Sequence, residues 1–315
     1  MKPSSKKSKN LIFPYFLLFL QPVFMASNLI VARGGTEFVP PISLAFWRWT
    51  TTFLILIPFF YKPIIKNFKK IKPEFYKLFF LGLTGCGICG AFPFIAGQTT
   101  TLTNMGIIYT SSPVFIILLS SFILKEVINS KQILGLIICI IGVFIIICKG
   151  DYLKLVNTQF TIGDIWMLGA ALGWALYSIY LLNWKFKFNF FIRFTLISFF
   201  GSLSLLPFYL LEEVFMRQTY FDSNFLFWII FAAILPGVIS FSLYARVQKY
   251  LGASLTGFTL YLYTLYGAIY GLIFFGEELK SFHYFGAFFV LIGVYFAKKK
   301  INLCIPRLFQ SHFFT

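Results

Sequence analysis

Several polar and aromatic side chains lie inside long apolar stretches of this 315-residue sequence. Gln21 and Asn28 are seven residues apart, so they share one face if the segment is helical. Arg48 lies in the next apolar run, and a buried guanidinium must be paired or hydrated. It could hold an anionic group of a solute, or it could pair with Glu37 or a backbone carbonyl to fix the fold. Polar groups in such positions favour the wall of a cavity that contacts a solute. The candidate wall residues are Gln21, Asn28, Arg48, Asn104, Tyr109, Trp174, Tyr177, Tyr263 and Tyr266.

Each candidate also has an interpretation in which it only packs the protein together. Gln21 and Asn28 could hydrogen-bond neighbouring helices to one another. Tyr263 and Tyr266 belong to an aromatic stripe whose hydroxyls could bond within a core. Trp174 is about eleven residues from Gly163, which is too deep for a tryptophan at a membrane surface, so a cavity wall is favoured there.

No residue set typical of an enzyme appears in the sequence. The five cysteines include no second pair and no histidine at metal-ligand spacing, so Cys86 and Cys89 are interpreted as inert core residues. His283 is isolated in the sequence and is given no role. The sequence contains no phosphate-binding loop and no nucleophile–base set, and the ten carboxylates fall in loops or near the ends of apolar runs. We therefore expect no catalytic residues, no metal and no cofactor.

The composition defines the elements that must position these residues. Hydrophobic residues make up 59% and charged residues 12%, whereas soluble domains have about 25% charged residues. This excludes a soluble enzyme, a disordered chain and a collagen-like fibre. A membrane-crossing helix needs about 20 apolar residues. The sequence predicts ten of them, at 11–32, 40–60, 75–97, 101–124, 132–149, 163–183, 191–211, 224–246, 253–275 and 281–297.

The basic residues predict the orientation of these helices. A net charge of +17 could indicate nucleic-acid binding, but cytoplasmic loops of membrane proteins also collect Lys and Arg. With the N-terminus inside, 21 of the 27 basic residues are cytoplasmic and five are external, while Arg48 lies within a span. The sequence therefore predicts two cytoplasmic termini and no nucleic-acid partner.

The two halves of the chain repeat at an offset of 151 residues. Glu126, Gly135, Gly142 and Val143 recur as Glu277, Gly286, Gly293 and Val294, and Gly106 recurs as Gly257. Five spans in each half is an odd number, so the second half is inverted relative to the first. We predict an all-α polytopic membrane protein of two inverted five-helix repeats, 1–150 and 151–315. Many secondary transporters have this architecture, with the solute near the midplane.

The order of these motifs resembles the EamA-type proteins of the drug/metabolite transporter superfamily. The first part of the resemblance is Ser27-Asn28, Arg33, Pro40-Pro41, Leu44, Phe46 and Arg48-Trp49. Pro113 with Glu126, Gly135 and Gly142 resembles the end of the first repeat. Arg246, Gly252-Ala253, Gly276-Glu277, Gly286 and Gly293 resemble the second. Thr264 departs from the family, which has a proline at the position matching Pro113. Arg48 belongs to the general family pattern, which favours a structural role for it.

The resemblance implies a transporter of small organic metabolites that works by alternating access. We expect export or exchange of amino acids or related amphipathic solutes. The alternatives are a nucleoside or S-adenosylmethionine transporter of the same superfamily and, with less support, an integral-membrane transferase. A channel or receptor does not explain the inverted repeat. The expected location is the bacterial inner (plasma) membrane, with the lipid bilayer and a small solute as partners and a monomer or weak homodimer as the assembly.

Overall fold

A computed structural model describes residues 12–123, 125, 130–147, 161–256 and 258–297, and every regular element within them is a helix. The main helices are α1 Ile12–Ile30, α2 Pro41–Lys66, α3 Phe68–Gly97, α4 Leu102–Ile123, α5 Ser130–Ile147, α6 Ile162–Asn183, α7 Phe190–Phe215, α8 Ser223–Ala233 with its continuation Ser240–Thr256, α9 Phe258–Phe275 and α10 Ser281–Ala297. The repeat residues Glu126 and Gly257 and the predicted basic tails lie outside the described residues.

Wide π-helical turns interrupt three of the helices. They are Val31–Gly35 at the end of α1, Gly82–Ile88 inside α3 and Ile234–Ile239 inside α8. Such turns are rare in helices, and where they do occur they are often part of a functional site. Adding 151 to the residue numbers of the turn in α3 gives the position of the turn in α8. The two halves therefore share this irregularity. Helix α4 is also irregular, because it is divided into Leu102–Tyr109 and Ser112–Ile123.

Local sequence signals explain where several helices begin and end. The side chain of Asn189 accepts a hydrogen bond of 2.9 Å from the backbone N–H of Ile192 at the start of α7. Asp222 does the same for Phe225 at the start of α8, at 2.8 Å. These side chains satisfy N–H groups that have no partner within the helix. Gly276 follows α9 with a φ of +60°, a conformation that glycine adopts without strain.

The packing partners of the two halves correspond to each other. Helix α1 packs against α8 and α9, and α6 packs against α3 and α4. Helix α2 packs against α7, and α5 packs against α10. If five is added to both helix numbers of a pair, counting on from α10 to α1, the result is again one of these pairs. For example, α1 with α8 becomes α6 with α3. Two related five-helix units that pack face to face would give this pattern.

The protein is an all-helical integral membrane protein, as the composition predicts. Seven helical segments of the described residues are long and apolar enough to cross a membrane: Phe13–Phe38, Pro41–Lys66, Phe68–Gly97, Leu102–Ile123, Ile162–Leu181, Phe190–Phe215 and Ser223–Val247. Large apolar side chains such as Phe59, Phe215 and Ile273 point outward, where lipid would cover them. The apolar segments in α5, α9 and α10 are shorter, so the count of ten spans stays a prediction.

Candidate functional site

A small chamber lies deep between the two halves of the protein. Seven helices contribute to its wall, and the wall includes one polar or aromatic side chain from each of them: Asn28, Arg48, Cys89, Tyr109, Trp174, Phe241 and Tyr263. Its volume is about 40 Å³. A water needs roughly 10–15 Å³ of such space, so this deep chamber has room for about three water-sized groups.

Arg48 is the charged residue of the deep chamber. Its side chain is 4% exposed, and its Nη1 donates a hydrogen bond of 2.5 Å to Oδ1 of Asn28. The guanidinium carbon lies 4.5 Å from the ring centroid of Trp49 and 5.6 Å from that of Phe94. These contacts fix the guanidinium between aromatic rings while one edge remains on the chamber.

Aromatic side chains form the opposite wall of the deep chamber. The ring centroid of Tyr109 lies 5.4 Å from that of Tyr263 and 6.2 Å from that of Trp174. The hydroxyl of Tyr109 lies 3.0 Å from the sulfur of Cys89. Trp174 is 6% exposed, so its indole is a buried surface for an apolar or planar group.

A larger vestibule adjoins the deep chamber and has a volume of about 390 Å³. The two spaces share Met25, Trp174 and Phe241 as wall residues. The outer wall of the vestibule includes Lys185 and Arg193, which belong to the α6–α7 connection and to α7. Gln21 lines the vestibule and donates a hydrogen bond of 3.1 Å from its side-chain nitrogen to Ser240. The deep chamber is thus approached from the end of the protein where α6 joins α7.

Buried polar contacts close the opposite end of the protein, and we name this set of contacts the seal. Glu212 accepts hydrogen bonds from the backbone N–H groups of Ile42 and Ser43, at 3.1 and 2.6 Å. Glu277 accepts from the N–H groups of Leu102 and Thr103, at 2.7 and 3.1 Å. Both carboxylates therefore hold the N-terminus of a helix, α2 or α4, from a distant part of the chain.

Asp164 adds a third carboxylate to the seal. The hydroxyl of Thr100 donates a bond of 2.5 Å to it, and that of Thr161 donates a second bond. Arg33 donates a bond of 2.8 Å to the carbonyl of Thr100. The end of α3 and the start of α6 are therefore joined, with α1 bonded to the same segment.

The structure brings most of the predicted wall residues together. Asn28, Arg48, Tyr109, Trp174 and Tyr263 line the deep chamber, and Gln21 and Tyr177 line the vestibule beside Trp174. Two residues lie elsewhere. Asn104 belongs to the seal, where its side-chain oxygen lies 3.1 Å from Nε2 of His283. Tyr266 packs half-buried against the hydrophobic core and lines neither space.

Several residues of the site were not anticipated from the sequence. Cys89 was interpreted as an inert core residue, yet it lines the deep chamber. Tyr244 and Arg193 line the vestibule. The spacing of Ser240 and Tyr244, four residues apart on a helix, was a signal for this wall. His283 was given no role because it is isolated in the sequence. No group of three or more His, Cys, Asp or Glu side chains is placed to hold a metal within the described chain.

The same architecture occurs in known proteins. The EamA-like transporter family matches residues 12–148 and again residues 161–298. The chain belongs to this family. An uncharacterized transporter of Archaeoglobus fulgidus is 25% identical over 292 residues, which cover 91% of this chain and 97% of the relative. The uncharacterized transporter YetK of Bacillus subtilis is 23% identical over 286 residues, which cover 89% of this chain and 85% of the relative.

A solved crystal structure has the same fold as this EamA-like chain. It aligns with a TM-score of 0.58 and 15% sequence identity, over 89% of this chain and 95% of the other. The family resemblance expected from the sequence is therefore confirmed. The relatives carry the name transporter and no substrate, so they support transport of small solutes in general terms.

Proposed function

We propose that this EamA-like protein moves small organic solutes across the membrane by alternating access, with the deep chamber and the adjoining vestibule as the solute site. The observation that carries the proposal is that both halves build the chamber. Asn28, Arg48, Cys89 and Tyr109 come from the first half, while Trp174 and Tyr263 come from the second. A solute held between two repeats is reached from alternate sides when the repeats rock against each other.

The two ends of the protein differ in the way alternating access requires. The vestibule leads to the deep chamber from one end, and the seal closes the other. If most basic residues lie on the cytoplasmic side, as the sequence predicts, the vestibule faces the cytoplasm and the seal faces outward. In the proposed arrangement the chain has ten spans in two inverted repeats, both termini are cytoplasmic, and the protein resides in the bacterial inner membrane.

The proposed solutes are amino acids or related amphipathic molecules, moved by export or exchange. The deep chamber offers a guanidinium and an amide at Arg48 and Asn28, and aromatic faces at Tyr109, Trp174 and Tyr263. An amphipathic molecule presents one polar end and one apolar body to such a site. The aromatic faces also suit the planar base of a nucleoside, which is the second candidate.

Counterflow in liposomes tests the proposal. Purified protein is reconstituted and screened with labelled amino acids, nucleosides and S-adenosylmethionine. Trp174→Ala should reduce counterflow while the amount of folded protein stays the same. Trp166→Ala is the matched control, because Trp166 lies on the same helix, packs edge-on against Phe92 at 4.7 Å and lines neither space.

The proposal is wrong if none of the labelled solutes shows counterflow with folded wild-type protein. Equal losses in the two tryptophan variants, in step with a loss of folded protein, would assign Trp174 to packing instead of solute contact.

A further inference from the structure

Arg48 has hydrogen-bonding capacity that the protein does not use. Its Nη1 is bonded to Asn28, but its buried Nε has no hydrogen-bond partner among the described residues. Buried donors are normally satisfied, so an unpaired donor of a residue on the chamber wall indicates that an acceptor enters there.

Among the described residues, the charge of Arg48 has no counter-charge nearby. The guanidinium stays protonated in proteins, so a positive charge remains in the chamber. None of the described residues that line the deep chamber or the vestibule is Asp or Glu. The carboxylates Glu212, Glu277 and Asp164 belong to the seal, where backbone N–H and hydroxyl groups already occupy them. Burying an unpaired charge is unfavourable, and an incoming anion would relieve that cost.

The route to the deep chamber has the same sign of charge. Lys185 and Arg193 line the vestibule, so the described route carries three basic groups and no acidic one. A cleft lined by one sign of charge between apolar walls concentrates solutes of the opposite sign and repels solutes of its own sign. The vestibule is thus a second, independent indication of an anionic solute.

We propose that the transported solute carries a carboxylate, which Arg48 receives in the deep chamber while the apolar body lies in the vestibule against Trp174. This inference rests on the proposed function and names the chemical group that the site selects. The deep chamber, with room for about three water-sized groups, matches the three heavy atoms of a carboxylate. Arginine binds a carboxylate with two parallel hydrogen bonds, and Nε is the donor left free for one of them. Neutral nucleosides carry no carboxylate and would leave the guanidinium unpaired.

Four probes that share one ring system test the proposal in purified full-length protein. They are 3-phenylpropionate, L-phenylalanine, 3-phenylpropanamide and 2-phenylethylamine, and binding is followed by tryptophan fluorescence and thermal stabilisation. We expect the two carboxylates to bind at least about tenfold more tightly than the amide and the amine, because hydrogen bonds to charged groups are the stronger class. An amide that binds as tightly as the carboxylates overturns the proposal without any variant being needed.

Variants assign the preference to Arg48. Arg48→Gln should abolish the preference for carboxylates, and Arg48→Lys should keep part of it because the charge remains while the planar fork is lost. Arg246→Gln is the control, since it removes the same charge from an exposed position on α8. Carboxylate binding that is unchanged in folded Arg48→Gln overturns the proposal. If Arg48→Gln does not fold, Arg193→Gln serves instead, and slower uptake of 3-phenylpropionate at low salt is the expected result.

Counterflow separates this inference from the proposed function. If labelled uridine shows more counterflow than phenylalanine, the proposed transport function stands and the proposed carboxylate site is wrong. Tight binding of 3-phenylpropionate through Arg48, with no counterflow by any probe, would support the carboxylate site and overturn transport.

Discussion

Neutralising Glu277 should release the seal and expose the deep chamber to the outside. Glu277 holds the start of α4 through two backbone N–H groups and through the hydroxyl of Thr103, which donates a bond of 2.9 Å. Glu277→Gln keeps the shape but removes the charge and one acceptor oxygen. Hydrogen bonds to charged groups contribute about 1 kcal/mol more than neutral ones. Since Glu277 is partly exposed, we discount the sum for the three bonds to about 1–2 kcal/mol.

This free energy should shift the balance between the two facing states by about tenfold, because 1.4 kcal/mol corresponds to a factor of ten. The reporter is Cys89, whose side chain lines the deep chamber. In a protein whose other four cysteines are replaced, a membrane-impermeant maleimide is added from the outside. Labelling of Cys89 should be several-fold faster in Glu277→Gln than in the parent protein.

Glu278→Gln is the matched control, because it makes the same change at the next, exposed residue. Its labelling rate should equal that of the parent. If folded Glu277→Gln also labels at the parent rate, then the cap on α4 does not hold the outer side closed, and the reasoning is refuted.

Three further expectations concern packing, topology and energy coupling. In Gly201→Ala, the new Cβ would lie 2.3 Å from the Cβ of Cys86. We therefore expect the free energy of unfolding to fall by about 1–3 kcal/mol, with a lower unfolding temperature. An unchanged unfolding temperature would contradict the close contact of α3 and α7. Reporter fusions after Lys300 should read as cytoplasmic, and an external reading would refute the ten-span topology. In liposomes without a solute gradient, a pH step should cause no accumulation, because the sequence places no Asp, Glu or His near a span centre as a proton relay; uphill uptake abolished by a protonophore would contradict this.

Sequence patterns could predict the class of the protein and most of the cavity wall. Long apolar runs identified a helical membrane protein. Polar and aromatic residues inside those runs identified Arg48, Asn28 and Trp174 as candidates for the cavity wall. Lateral position on a helix follows from spacing. The partner across the interface does not, because it depends on how two helices are rotated and shifted. The sequence therefore offered Glu37 or a carbonyl as the partner of Arg48, whereas the structure pairs it with Asn28.

Asn104 illustrates why depth is harder to predict than face. Asn104 was predicted to line the cavity, and its spacing with Ile108 and Ser111 gives its face on the helix but not its depth. The structure places Asn104 within the first turn of α4, where it contacts His283 of α10. A contact between residues 179 positions apart has no local signal, and a histidine without neighbours of its own kind gives no motif.

The paired wide turns in α3 and α8 carry information about ancestry. A π-helical turn closes its hydrogen bond over five residues instead of four, so it accommodates one residue more than an α-helical turn. The turns Gly82–Ile88 and Ile234–Ile239 fall at matching places under the 151-residue offset. A half-length ancestor that already contained this extra residue, and whose gene then doubled, explains both turns with one insertion. Matching single turns in half-length relatives would date that insertion before the duplication.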